Sequence, residues 1–324
     1  MPQITYREAV SWALREALED ERVFLMGEDI GSYGGAYAVT RGLLAEYGPE
    51  RIRETPIAES VIVGAGAGAA MGGLRPIVEL MTINFSLLAM DQIVNHAAKL
   101  RYMSGGQLTC PVVIRTVTGG GASVGATHSQ SLEGWFASVP GLRVAVPSTP
   151  YDVLGLFRTA MHQENPVIFV EHTLLYSTRG EAPEERYVIP FGVADVKRSG
   201  TDVTIVAYSR MATVAMRAAE ALEAKGISAE VVDLRTLSPL DGDTVVKSVL
   251  KTNHAVVVEE TWRTGGFGAT VVDIIQQRAF DSLDAPVMRV AGEEVPMPYS
   301  RPLEQAAIPD EARVIKAVES VLSG

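Results

Sequence analysis

The stretch from Thr55 to Gly73, TPIAESVIVGAGAGAAMGG, limits the folds open to this chain more than any other. Its run of small residues suits a helix against which another backbone comes close. One acid, Glu59, stands at the front of the apolar run. Gly64, Gly66 and Ala69 after Val61-Ile62-Val63 also satisfy the G-x-G-x-x-A pattern of a dinucleotide-binding turn. That turn requires a crossover helix and then an acid about 20 residues on. Gly72-Gly73 and Pro76 interrupt the chain first, and Glu79 arrives too soon. The NAD-binding oxidoreductase is therefore the alternative set aside. A helix starting near Glu59 is expected, with the acid in the first turn where the helix dipole favours negative charge. A glutamate there serves either as a plain cap or as a chemical group, and position alone does not choose.

With 324 residues and 47% hydrophobic content, the chain has enough apolar mass for a sizeable core, and its length suggests two domains. A net charge of −11 argues against nucleic acid and anionic membranes as partners and suits a basic protein surface. The single cysteine, Cys110, excludes an internal disulfide and points to a reducing compartment. The N-terminal residues hold no apolar signal core, and no apolar run reaches membrane-spanning length. A cytoplasmic location is expected.

Taken in order, Thr5-x-x-Glu8 is a capping box ahead of a helix to about Asp20. Val23 to Met26 is a short buried strand, and Gly27 to Gly35 is the loop at its carboxyl end, where open parallel sheets put ligands. Ile77 to Met81 is a second strand, followed by a long helix from about Asn84 to Met103 that Gly105-Gly106 stops. Val112 to Val117 leads into Thr118-Gly119-Gly120-Gly121-Ala122-Ser123-Val124-Gly125, whose composition predicts a mobile loop. Strands at Leu142 to Val146 and Val167 to Val170 flank a helix after Pro150. Periodicity fails around Ser177 to Phe191, and strand-helix alternation then resumes from Val203 to Ala279. The expectation is two tandem doubly wound α/β domains, residues 1–185 and 186–324.

Gly121-Ala122-Ser123-Val124-Gly125 matches G-x-S-x-G, but a nucleophile elbow needs a helix directly after the serine and its histidine last in chain order, and His128 comes too early. None of the five histidines has metal-ligand spacing to another histidine or to the cysteine. His162 and His172 read as solvated or edge residues. His128 follows a glycine loop at a strand's carboxyl end, so it serves substrate or structure equally well on position alone.

The strings Gly27-Glu28-Asp29, Asp91-Gln92-Ile93-Val94-Asn95, Lys99 to Gly106, His128-Ser129-Gln130-Ser131, Pro140-Gly141-Leu142 and Pro147-Ser148-Thr149-Pro150, in this order, resemble the beta subunit of the thiamine-diphosphate-dependent 2-oxo acid dehydrogenases. The resemblance covers nearly the whole chain. Glu79 to Ser86, and Thr127 before His128, are more similar to the pyruvate branch than to the branched-chain one, with acetoin dehydrogenase beta subunits as a near competitor.

The resemblance implies a pyrimidine-binding domain followed by a transketolase C-terminal-like domain. It implies a cofactor shared between subunits, in which this chain holds the aminopyrimidine ring and an alpha subunit holds the diphosphate and Mg2+. Glu59 would face the pyrimidine nitrogen, Ile57, Met81 and Phe85 would wall the ring, and Glu28 would join a polar chain nearby. His128 would line the substrate channel and assist transfer to a lipoyl group. A K+ site held largely by carbonyls corresponds to Val112, Ala160, Met161, Gln163 and Asn165, with Gln163 where many relatives carry aspartate. The implied partners are the alpha subunit in an α2β2 heterotetramer and the dihydrolipoyl acyltransferase core with its lipoyl domain. The chain has no Gly-Asp-Gly followed by a suitably spaced asparagine for magnesium diphosphate. Asp241-Gly242-Asp243-Thr244 is the nearest string, and it reads as a helix opening.

Overall fold

Thr5 opens the first helix as its spacing predicts: its side chain accepts from the Glu8 N–H while the Glu8 carboxylate accepts from the Thr5 N–H at 2.6 Å. In the computed structural model, which describes residues 2–323, the chain divides into two units. One comprises the residues up to Thr118 with Trp135–Phe191, the other Gly119–Gly134 with the chain from Gly192 on.

Up to residue 191 the elements are β1 (Gln3–Thr5), α1 (Tyr6–Ala17), β2 (Leu25–Gly27), α2 (Leu43–Tyr47), β3 (Ile52–Glu54), α3 (Glu59–Met71), β4 (Ile77–Leu80), α4 (Leu100–Met103), β5 (Val113–Thr118), α5 (Glu133–Ala137), β6 (Arg143–Ala145), α6 (Pro150–Met161), β7 (Val167–His172) and β8 (Arg179–Glu181). In the first unit the strands run in the order β6-β7-β5-β4-β2-β3, each parallel to its neighbour. Strands β4, β5 and β7 are buried along their length, as expected where helices cover both faces of a parallel sheet. α1 and α6 close one side of the core with Val10, Leu14, Leu154 and Phe157. The boundary expected after residue 185 falls instead after Phe191. Ile189 is buried in the first unit's core, with Tyr187 and Phe191 packed against it, so those residues stay with that unit.

The long helix expected from Asn84 to Met103 is broken into a 3-10 run, Ile83–Ala89, a π-helical run, Asp91–Ala97, and the short α4. One polar side chain, Ser86, competes for the local backbone there, and another, Asn84, bonds a neighbouring side chain. Ser86 donates to the Ile83 carbonyl at 2.5 Å and Asn84 to the Thr82 hydroxyl at 3.0 Å. His172 is not an edge residue: it is buried at the end of β7, and its Nδ1 accepts from the Leu174 N–H at 3.1 Å.

The second unit contains β9 (Asp195–Arg198), β10 (Val203–Ala207), α7 (Arg210–Glu223), β11 (Ala229–Asp233), β12 (Thr236–Ser238), α8 (Gly242–Thr252), β13 (Ala255–Trp262), α9 (Gly268–Ala279), β14 (Met288–Gly292), α10 (Arg301–Ala307) and α11 (Glu311–Leu322). Its sheet runs β14-β13-β10-β11-β9, parallel except for β9. α11, capped by Asp310, places Val314, Ala317, Val318 and Val321 in this unit's core. Among the described residues no helix is long and apolar enough to cross a membrane.

Candidate active site

Strand order locates the site in the first unit. After β2 the chain passes to β3 on one side and then to β4 on the other, so the carboxyl ends of these strands border a topological switch point. Open α/β sheets bind ligands in such crevices. Glu28 follows β2, Ile57 and Glu59 follow β3, and Met81 and Phe85 follow β4. These five residues, which the resemblance implies for the pyrimidine pocket, thus follow three neighbouring strands.

Glu59 is the first residue of α3 and only 6% exposed. Ala58, at the N-cap, supplies no side-chain acceptor. Among the described residues the Glu59 carboxylate has no hydrogen bond or ion pair. A carboxylate that is nearly buried yet lacks a partner is costly unless a bound group completes it. Glu28 lies close enough to sense it: burial, then the charges of Asp29 and Glu59, push the Glu28 carboxyl above the usual carboxylate range. Ile57 is 72% exposed, and Met81 and Phe85 are half-buried. Apolar side chains left open beside a buried acid suit a flat ring with a polar edge.

α3 owes its position to Gly66, where a methyl group would lie 2.5 Å from the Val78 side chain of β4. All its glycines lie within the helix, so they form no phosphate-binding turn.

Beneath the strand ends lies a cluster that sequence reasoning missed. Arg115 of β5 is 1% exposed and donates to both oxygens of Glu171, at 2.6 and 2.9 Å, and also to Glu79. Tyr176 donates to Glu171 at 2.7 Å. Burial pushes the Glu79 carboxyl up, partly offset by the Arg115 charge and reinforced by that of Glu171. The available signal was one charged residue inside each of three apolar strand runs.

Protein donors already reach several of the oxygens that the resemblance implies for potassium. Val112 O accepts from Val167 N–H at 3.0 Å and Ala160 O from Gln163 N–H at 3.1 Å. Arg75 Nη1 donates to the carbonyls of Met161, at 2.8 Å, and Gln163, at 3.2 Å, while its Nη2 pairs with Glu164 at 2.5 Å. The Asn165 side-chain oxygen faces Arg101 at 3.4 Å. A potassium ion on the Met161 and Gln163 oxygens would stand within about 5 Å of a guanidinium, a repulsion of about 3 kcal/mol at an effective dielectric of 20. Of the five implied ligands, Met161 and Gln163 thus share their carbonyl oxygens with Arg75.

In the second unit, His128 is exposed and its Nδ1 meets the Thr127 hydroxyl at 3.0 Å. Ser123 is no elbow nucleophile: no helix follows it directly, and its hydroxyl donates to Glu304 at 3.1 Å. Asp241 is committed to capping α8, accepting from Thr244 N–H at 3.0 Å and from its hydroxyl at 2.7 Å.

Residues 2–178 match the transketolase pyrimidine binding domain and residues 192–314 the transketolase C-terminal domain. A solved split-gene transketolase, an inactive beta4 tetramer, is similar in fold with a TM-score of 0.81 at 26% identity, covering 99% of this chain and 98% of that one. Two α/β units of this kind, with an acid-bearing crevice at the strand ends of the first, define the transketolase class. Pyruvate dehydrogenase E1 component subunit beta of Rickettsia felis is 48% identical over 320 residues, 98% of each chain. The mitochondrial subunits of Dictyostelium discoideum and Saccharomyces cerevisiae are each 46% identical, covering 98% and 99% of this chain and 91% and 89% of their own. The chain belongs to the family of pyruvate dehydrogenase E1 component beta subunits.

Proposed function

We propose that this chain is the beta subunit of a thiamine-diphosphate-dependent pyruvate dehydrogenase, active with an alpha subunit, and that it serves oxidative decarboxylation of pyruvate with acetyl transfer to a lipoyl group. The observation that carries the reading is the unpartnered, nearly buried carboxylate of Glu59 at the switch-point crevice. Relatives named for pyruvate favour that substrate over acetoin or a branched 2-oxo acid.

When bound, thiamine diphosphate supplies the electron sink for the charge left as a 2-oxo acid loses carbon dioxide. Glu59 holds a proton at the pyrimidine edge, where a dry site strengthens a carboxyl hydrogen bond. Ile57, Met81 and Phe85 cover the ring faces and exclude water, and Glu28 keeps the polar chain near Glu59. His128 positions the incoming lipoyl arm. The alpha subunit holds the diphosphate and Mg2+, and the acyltransferase core receives the product. The free thiol of Cys110 suits a reducing, cytoplasmic setting.

Glu59→Gln keeps the size of the side chain and removes its acid. In the complex reconstituted with the alpha subunit, decarboxylation should fall ~10²- to 10⁴-fold while assembly and circular dichroism stay unchanged. Near-wild-type turnover would exclude the role given to Glu59.

A further inference from the structure

The glycine loop that leads to His128 has a composition that predicts mobility, yet two buried carboxylates hold it. Gly120 N–H donates to Glu260 at 2.8 Å. Gly121 N–H donates to Glu304 at 2.8 Å, Ser123 N–H to the same side chain at 3.1 Å, and the Ser123 hydroxyl at 3.1 Å. Glu304, on α10, is completely buried, and these loop groups are its only side-chain partners among the described residues. A buried carboxylate is strongly penalised unless hydrogen bonds replace its water, so Glu304 and the ordered loop require each other.

The rest of the loop fits the same constraint. Ser123 has φ 56°, a left-handed conformation that a non-glycine residue holds only when its surroundings demand it. At Gly125, with φ 79°, a methyl group would lie 2.3 Å from the Tyr299 ring, so a residue beside α10 shapes this turn too. Gly119 N–H bonds Gln130 O at 3.3 Å across the base of the loop, and His128 N–H bonds Gly125 O at 3.2 Å inside it. His128 is thus carried on a closed loop whose N-terminal half is tied to Glu304.

We propose that Glu304, with Glu260 in support, is a positioning residue that fixes His128 for transfer of the acyl group to the lipoyl arm. The proposal rests on the role given to His128 above. Glu304 acts through the loop backbone and touches no substrate.

The test uses this chain assembled with its alpha subunit and compares wild type with Glu304→Ala, Glu304→Gln and His128→Ala. Acyl transfer to a lipoyl domain is measured beside decarboxylation with an artificial electron acceptor, and hydrogen exchange is followed over residues 119–130. Glu304→Ala should slow acyl transfer ~10- to 100-fold, as a ~1 Å misplacement does, leave decarboxylation within about threefold of wild type, and speed exchange in the loop. Glu304→Gln, which keeps an oxygen acceptor, should recover much of the transfer rate. If His128→Ala cripples transfer while Glu304→Ala does not, the positioning role is wrong. If His128→Ala leaves transfer intact, the assignment of His128 falls and the proposal with it. Equal loss of both reactions in Glu304→Ala and Glu304→Gln, without faster loop exchange, also overturns it.

Discussion

At Cys110 burial alone decides the chemistry. Its side chain is 1% exposed, the Ala67 carbonyl of α3 lies 4.0 Å from its sulfur, and burial pushes the thiol up to about 11. A free cysteine titrates near 8.5, so at pH 8 this thiol should alkylate about two orders of magnitude more slowly than a peptide cysteine. Iodoacetamide labelling with and without urea checks this, and fast labelling of the folded chain would contradict the packing against α3. The pKa is raised, so the thiol's contribution to stability is present below the unfolded value and is lost as pH rises through about 11. Glu59 differs because its carboxylate, in a residue only 6% exposed, has no protein hydrogen bond or ion pair among the described residues.

α3 shows how one element serves two surroundings. Gly66 faces inward against Val78, whereas a methyl at Gly68 would meet nothing within 4 Å, and Val61 and Met71 are exposed on the outer side. An outer face of small and apolar residues suits close approach by a partner backbone. Arg75 is the corresponding device where the chain enters β4, tying that entry to the turn between α6 and β7 through two carbonyls and Glu164. With the guanidinium supplying the positive charge there, thermal stability should be the same in potassium and in sodium chloride. Arg75→Met should lower Tm by several degrees, the removed charge leaving two carbonyls and Glu164 without their donor. Scanning calorimetry in both salts decides, and a potassium-specific rise in wild-type Tm would show that the ion binds.

For the whole molecule, the division of the cofactor is the decisive expectation. Asp241, the nearest counterpart to a magnesium-binding aspartate, is spent on a helix cap. Calorimetric titration of thiamine diphosphate with Mg2+ should therefore give no binding to the isolated chain and binding to the chain with its alpha subunit. Tight binding to the chain alone would refute the shared site. Much of the architecture was legible from the sequence because its causes are local. Capping residues at Thr5 and Thr149, apolar strand runs and the acid at the head of α3 act within a few residues of themselves. The sequence by itself determined the apolar strands β2, β4, β5, β6, β7, β10, β11 and β13, the starts of α1, α3 and α6 to α9, and the acid at Glu59. The short or half-exposed β3, β9 and β14 and the C-terminal α10 and α11 carry no pattern that marked them. Only the tertiary structure decided that Glu28, Glu59 and Met81 follow strands that are neighbours at one switch point, that Arg115 lies between two glutamates, that Arg75 bonds the Met161 and Gln163 carbonyls, and that Glu304 holds a loop whose composition predicts mobility. The physical reason is chain distance. Arg115 and Glu79 are 36 residues apart and Gly121 and Glu304 are 183 apart, so no local pattern records these pairings, and only the folded backbone brings the partners into a medium dry enough to bind them.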